Sequence, residues 1–282
     1  MMTHRITFLT PLFSKGSYDN RPEIRPPSIR GQLHWWFRAL GYSYADEMTI
    51  FGGVHGGARA SKVVVRVGGI VGQSGEVATL PHKHAGQASP KAAFMAGTAF
   101  DLHLSTRLGG LTAAHSGAFN RTVKAWLLAG TLGLRATRAA GSFRWDAKTD
   151  DAFAMPTDTK SWQTAVDEVF NATPLKLMLL ERPFEDAEAA RKVVSDTIGG
   201  RDDYQGQDNL ANLNQPLGFI GRGRKTSPLR FRIIPSGKQF QILAVWDDRS
   251  NVTGNKSSDL LGVAKALADK GKEIGRALQA AL

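Results

Sequence analysis

The stretch from Ile24 to Leu40, Ile-Arg-Pro-Pro-Ser-Ile-Arg-Gly-Gln-Leu-His-Trp-Trp-Phe-Arg-Ala-Leu, allows this chain few choices. Pro26 and Pro27 hold the backbone extended, and Ser28 stands where a helix N-cap belongs. Ile29, Leu33, Trp36, Phe37 and Leu40 then recur at helical spacing, so the segment must bury one apolar stripe against something else. The opposite face carries Arg30, His34 and Arg38 at i, i+4 and i+8. The expectation is a helix with a cationic row toward solvent and free N–H groups beside Arg30, an anion site. Read alone, the row is as simply a solvated face.

Charge extends that reading. The 282 residues carry a formal net charge of +11, the footprint of a polyanion partner, within a composition of 42% hydrophobic and 22% charged residues that suits a chain with a buried core. The charge is uneven: residues 1–145 net +11, residues 146–203 net −6 and residues 204–282 net +6. The acidic middle reads as a helical insertion facing away from the polyanion. Cysteine is absent, which excludes disulfides, thiolate metal sites and a cysteine nucleophile and points to a reducing, cytoplasmic setting. No apolar run reaches membrane-spanning length, and the opening residues lack a signal-peptide h-region.

Along the chain, Arg5–Leu12, 60–68, Ala99–Arg107, Leu229–Ile234 and Gln239–Trp246 read as strands. Helices are expected over Phe119–Gly130, Ser161–Phe170 and Phe184–Ile198, with an amphipathic end over Asp259–Leu282. Residues 69–91 read as a long loop or a hairpin. Hairpins and glycine loops in place of a regular βαβ series argue α+β with antiparallel sheet, and a βαββαβ ferredoxin-like plan is the simplest fit. The expected division is 1–110 and 111–282, two such modules in tandem, the second holding the acidic insertion at about 146–203.

Three segments mix glycine with basic residues: Phe51–Lys62 with Arg59 and Lys62, Gly130–Arg144 with Arg135, Arg138 and Arg144, and Gly221–Lys225 with Arg222, Arg224 and Lys225. Glycine lets backbone amides approach a phosphate, and arginine offers a bidentate fork to the same oxygens. Neither G-x-x-x-x-G-K-[ST] nor G-x-G-x-x-G after a strand occurs, so no nucleotide cofactor is expected. Lys15, Arg21 and Arg25, in and after the polar loop ahead of the helix, join the candidate phosphate contacts. Trp35 is a candidate for stacking on an unpaired base, or is half-buried against a neighbour. His82 and His84 lack a carboxylate pair and are read as loop residues, so no metal site is expected. His4, His55, His103 and His115 stand isolated. Asp19 or His34 would be the residues to assist strand scission by a 2′-hydroxyl.

Pro26–Leu40, followed by Ile50-Phe51-Gly52-Gly53 and Ala60-Ser61-Lys62-Val63, resembles the N-terminal signature of the RAMP (repeat-associated mysterious protein) superfamily, and within it the first-numbered subunits of Cmr-type, type III-B CRISPR effector complexes. Gly130–Gly141 is similar to that family's glycine-rich loop, diluted by Ala136, Ala139 and Ala140. Arg224-Lys225-Thr226-Ser227-Pro228-Leu229 resembles its C-terminal Arg-(Arg/Lys)-x-Ser-Pro-Leu element. The resemblance implies ferredoxin-like, RRM-related modules in an antiviral ribonucleoprotein, where base pairing reads sequence and protein holds the backbone. It also implies CRISPR RNA or target RNA and other effector subunits as partners, at the end holding the guide's 3′ part. Members of this kind are not regarded as the nuclease. Related backbone subunits cut with an aspartate in the equivalent loop, which keeps Asp19 in view.

Overall fold

The computed structural model describes residues 1–18, 21–54, 57–81, 89–180, 182–199, 219–221, 223–225, 229–247, 249 and 273–274. Its first sheet combines β1 (Met2–Phe8), β2 (Val63–Val71), β5 (Ala99–Thr106) and β6 (Phe143–Ala147) in the order β2-β5-β1-β6, with every neighbouring pair antiparallel. Between β1 and β2 come α1 (Pro26–Ala39) and α2 (Tyr44–Phe51), and α3 (Ala113–Ala129) joins β5 to β6. A hairpin, β3 (Ser74–Ala78) with β4 (Pro90–Phe94), rises between β2 and β5. Strand, helix, strand, strand, helix, strand is thus the plan once the hairpin is set aside.

Alternation decides which side of the sheet is covered. In β1, His4, Ile6 and Phe8 are buried while Thr3, Arg5 and Thr7 lie on the other face. The buried set packs with Phe100, Leu102, Leu104 and Phe143 beneath α1 and α3. The stripe expected on α1 is present: Ile29, Leu33, Trp36 and Phe37 are all buried. The helix start differs, because α1 begins at Pro26 with Arg25 as N-cap. Proline suits the first helical positions, where an N–H has no intrahelical partner, so Ser28 falls inside the first turn instead of capping it.

A second sheet takes β7 (Leu175–Leu180), β10 (Leu229–Ser236), β11 (Gln239–Asp247) and β12 (Glu273–Ile274) in the order β10-β11-β7-β12, again antiparallel throughout. Its strand order repeats that of the first: second, third, first, fourth. Two helices belong to it, α4 (Thr159–Phe170) and α5 (Ala187–Gly199), and a small hairpin of β8 (Phe219–Gly221) and β9 (Gly223–Lys225) precedes β10. One face of this sheet, with Leu175, Leu177, Leu179, Ile234, Leu243 and Val245, joins α4 in the core shared with the first sheet. The other face, with Met178, Phe231, Ile233 and Ala244, packs on Ala187, Ala190 and Val194 of α5.

Two expectations change here. The first sheet draws on residues up to Ala147, so sheet membership divides the chain after β6 and not at residue 110. The stretch 146–203 supplies α4, central strand β7 and α5 of the second sheet, so it is part of that unit and not an insertion into it. Its acidic residues mislead because several sit on the exposed sides of helices whose inner sides are apolar. The expected helix over 259–282 lies outside the described residues except for Glu273–Ile274, which pair with β7 as strand.

Candidate nucleic-acid interface

The cationic row of α1 runs along a neighbouring helix, with Arg30 and His34 half-buried there and the Arg38 side chain still 60% exposed. Helix α2, capped by Ser43 Oγ accepting from the Asp46 N–H at 3.1 Å, lies beside it and carries Glu47, a carboxylate only 5% exposed. His34 Nδ1 lies 2.6 Å from Glu47 Oε1, and Arg38 Nε lies 3.5 Å from the same oxygen. Arg30 Nη2 donates to the Phe51 carbonyl, at the C-terminal end of α2 where the helix dipole favours a cation. Arg30 and His34 therefore lie in a seam between two helices, which corrects their solvent-facing reading, while Arg38 touches the seam and keeps most of its side chain in solvent.

The expected amide nest at the start of α1 is also absent. Pro26 and Pro27 have no N–H, and the N–H groups of Ser28 and Ile29 both donate to the Arg25 carbonyl, at 3.0 and 3.3 Å. Trp35 is half-buried, the second of its two readings: the Arg230 guanidinium lies 3.8 Å over its ring, and Trp36 meets it edge-on at 4.9 Å. Both contacts occupy the surface a base would need. Burial pulls Arg230 down to about 10, still charged at neutral pH.

The glycine-rich loop is anchored rather than draped. The Leu134 N–H donates to the Phe13 carbonyl at 2.7 Å and the Gly141 N–H to the Pro11 carbonyl at 2.9 Å. Gly141 has φ +65°, and a Cβ there would overlap the Leu132 carbonyl, so glycine is required by both conformation and space. Arg135 and Ala139 adopt left-handed φ of 60° and 59° around the 3-10 turn Ala136–Arg138, leaving Arg135 and Arg138 half-buried. Arg144 projects from the helix-free face of the first sheet, in register with Thr7. Arg59 is exposed and Lys62 half-buried near the C-terminus of α2, where Gly53 and Arg59 exchange backbone hydrogen bonds at 2.8 and 3.1 Å.

One arginine that the sequence reading passed over joins the two sheets. Arg232 of β10 is fully buried, donating through Nη2 to the Phe143 carbonyl at 2.6 Å and through Nη1 to the Gly130 and Trp126 carbonyls. Its guanidinium lies 4.3 Å over the Phe143 ring, and burial pulls it down to about 9. Next to it, the Ile233 N–H donates to Ser142 Oγ at 2.9 Å. Arg191 of α5, likewise buried, pairs with Glu188 at 2.5 Å and donates to the Ala78 carbonyl at 3.1 Å, tying α5 to the loop end of the β3–β4 hairpin. Desolvation raises the Glu188 carboxyl, against the pull of Arg191. Only the Arg-Phe-Arg spacing in an apolar strand hinted at such inward arginines.

These anchors frame an open groove of about 960 Å³. Phe13, Lys15 and Pro22 of the polar loop line it, with Ser28, Gly31 and Gln32 of α1, Gly75 and Glu76 of β3, Pro90 and Lys91 of β4, and Leu132 to Leu134 of the glycine loop. Lys15 and Lys91 are exposed cations on its wall, and exposed Arg21 precedes Pro22, its guanidinium 5.8 Å from the Tyr18 ring. The start of α1, the polar loop and the glycine loop thus do meet. Lys91, Gln32 and Leu134 are groove residues that the sequence reading did not single out. Asp19, Arg222, His55, His82 and His84 lie outside the described residues, and Arg224 and Lys225 are described only as the backbone of β9. Among the described residues, no three His, Asp or Glu side chains gather as a metal site, and no helix is long and apolar enough to cross a membrane.

Comparison with known proteins agrees with this architecture. The family model described as RAMPs, the RAMP superfamily, matches residues 5–144. A curated relative, the CRISPR system Cmr subunit Cmr1-2 of Pyrococcus furiosus, is 44% identical over 36 residues, 13% of this chain and 19% of the relative. The matched segment is thus about a fifth of that protein's length. The fold extends much further: the crystal structure of apo Cmr1 from Pyrococcus furiosus superposes with a TM-score of 0.64 at 15% identity, covering 97% of this chain and 98% of the other. A chain in a cryo-EM structure of the type III-B Cmr-beta complex bound to cognate target RNA superposes with a TM-score of 0.55 at 11% identity, over 94% and 99% of the two chains. The RAMP superfamily model thus matches 140 of the 282 residues, across the first sheet, and the fold seen in Cmr1 is shared along nearly the whole chain.

Proposed function

We propose that this protein is a cytoplasmic RNA-binding subunit of a type III CRISPR effector ribonucleoprotein, holding guide or target RNA near the 3′ end of the guide without cutting it. The observation that carries the reading is the groove, where three elements of the RAMP-like signature converge between exposed Lys15 and Lys91 in a chain of net charge +11. Lysines at a groove rim act on phosphates as point charges, and each neutralised phosphate releases counterions. The Arg30, His34 and Arg38 side chains serve α2, so binding rests on the groove cations and not on that row.

The purified chain is expected to bind single-stranded RNA with little sequence preference and an affinity that falls steeply with salt. Lys15→Ala with Lys91→Ala should flatten the log-affinity against log-salt slope by about 1.4. Arg30→Ala with Arg38→Ala should leave that slope unchanged while lowering stability. Salt-independent binding, or a slope altered only by the second pair, would overturn the assignment.

For the non-catalytic part, His34 is held by Glu47 and its ring centroid lies 4.7 Å from that of Phe51. Labelled RNA incubated with the protein in EDTA should stay intact. Cleavage that disappears in His34→Ala would make the chain a metal-independent endoribonuclease instead.

A further inference from the structure

We propose that the groove holds an unpaired nucleobase of the bound RNA, and not its sugar-phosphate backbone alone; this rests on the RNA-binding reading above. The wall argues for it. Pro22, Pro90 and Leu134 give it an apolar surface over buried Phe13 and Leu132, and Leu134 is 44% exposed there although it belongs to an anchored loop. A phosphate gains nothing from such a surface and loses water to reach it. The flat face of a base gains from leaving water.

The polar groups tell the same way. Glu76 faces the groove, and a carboxylate repels phosphate but accepts from the amino and imino N–H groups of a base edge. Gln32, one turn along α1 from Ser28, offers an amide with both a donor and an acceptor. Lys15 and Lys91 remain for the flanking phosphates. A volume of about 960 Å³ has room for more than one base, at the upper end of what small-ligand sites span. Bases in single-stranded RNA are free to splay into such a site, whereas paired ones are not. The groove therefore distinguishes single-stranded RNA from duplex by shape.

The test compares two single strands of equal length and charge, one with its bases and one of abasic ribose phosphates, in fluorescence anisotropy with the full chain. The base-bearing strand should bind about tenfold tighter. Leu134→Ser should remove that advantage without weakening the abasic strand, and Glu76→Gln should narrow it, whereas Lys15→Ala should weaken both strands equally. Equal affinity for the two strands, or a Leu134→Ser loss shared by both, overturns the base site and leaves RNA binding standing. Binding of neither strand overturns both readings.

Discussion

Arg232→Met is expected to lower the unfolding free energy by about 3 kcal/mol or more, read as a shift of the denaturant midpoint at neutral pH. The side chain is 0% exposed and supplies hydrogen bonds to the carbonyls of Trp126, Gly130 and Phe143. Two effects compete. Methionine removes a desolvated charge, which by itself is favourable, and replacement of buried ion pairs by apolar residues is often harmless. Here, however, the partners are backbone carbonyls. They stay behind, two at the C-terminal end of α3 and one at the start of β6, and each buried acceptor left without a donor costs about 1–3 kcal/mol. The Trp126 carbonyl keeps the Gly130 N–H at 2.8 Å, so two such groups, the Gly130 and Phe143 carbonyls, outweigh the relief. Arg232→Lys should retain part of the stability, since an ammonium reaches fewer of the three. A loss below about 1 kcal/mol in the methionine variant would show that the carbonyls find other donors, and that the two sheets are held by apolar packing alone.

His4 should make the fold sensitive to mild acid. It sits on the buried side of β1, 1% exposed, with neither ring nitrogen hydrogen-bonded and its ring edge-on to Phe153 at 5.5 Å. Desolvation pulls it from 6.5 down to about 4, against the opposing charge of Asp150. The folded value lies below the unfolded one, so the unfolded chain takes up a proton that the fold refuses. Stability is complete above pH 6.5, declines as pH falls from there to about 4, and is level below both values. The full difference is on the order of 3 kcal/mol. Urea midpoints of wild type and His4→Leu, measured from pH 7.5 to pH 4, should show the wild type falling relative to the variant as acid weakens it. Parallel curves would mean that water or a rearranged loop solvates the imidazolium.

The parts of this fold that were legible in the sequence are those that repeat a period. The stripe on α1 spans more than three turns, and the alternation of Phe100, Leu102 and Leu104 in β5 needs no neighbour to be recognised. Helix α2 was missed because eight residues hold little more than two turns, too few for a pattern to emerge. That omission propagated into the site, since Glu47 takes His34 and Arg38 and the Phe51 carbonyl takes Arg30. Strand β7, Leu-Lys-Leu-Met-Leu-Leu, was missed because a central strand buried on both faces loses its alternation. The paired prolines show their effect on chain direction in the sequence, but the loss of their two donors matters only once α1 is seen to start at Pro26. The glycine loop is legible from its own residues, while its meeting with α1 and with the lysine of β4, from a hairpin far along the chain, is a proximity only tertiary structure supplies.

The position of Arg232 has a bearing on synthesis. All four strands of the first sheet have been translated by residue 147, yet the carbonyls that end α3 and begin β6 wait another 85 or so residues for their donor. During that interval the Gly130 and Phe143 carbonyls lack the guanidinium, while the loop between them already has its bonds to Pro11 and Phe13. The N-terminal half thus reaches its final rigidity only after the later strand arrives, which makes the groove a product of the whole chain and not of the half whose residues mostly line it.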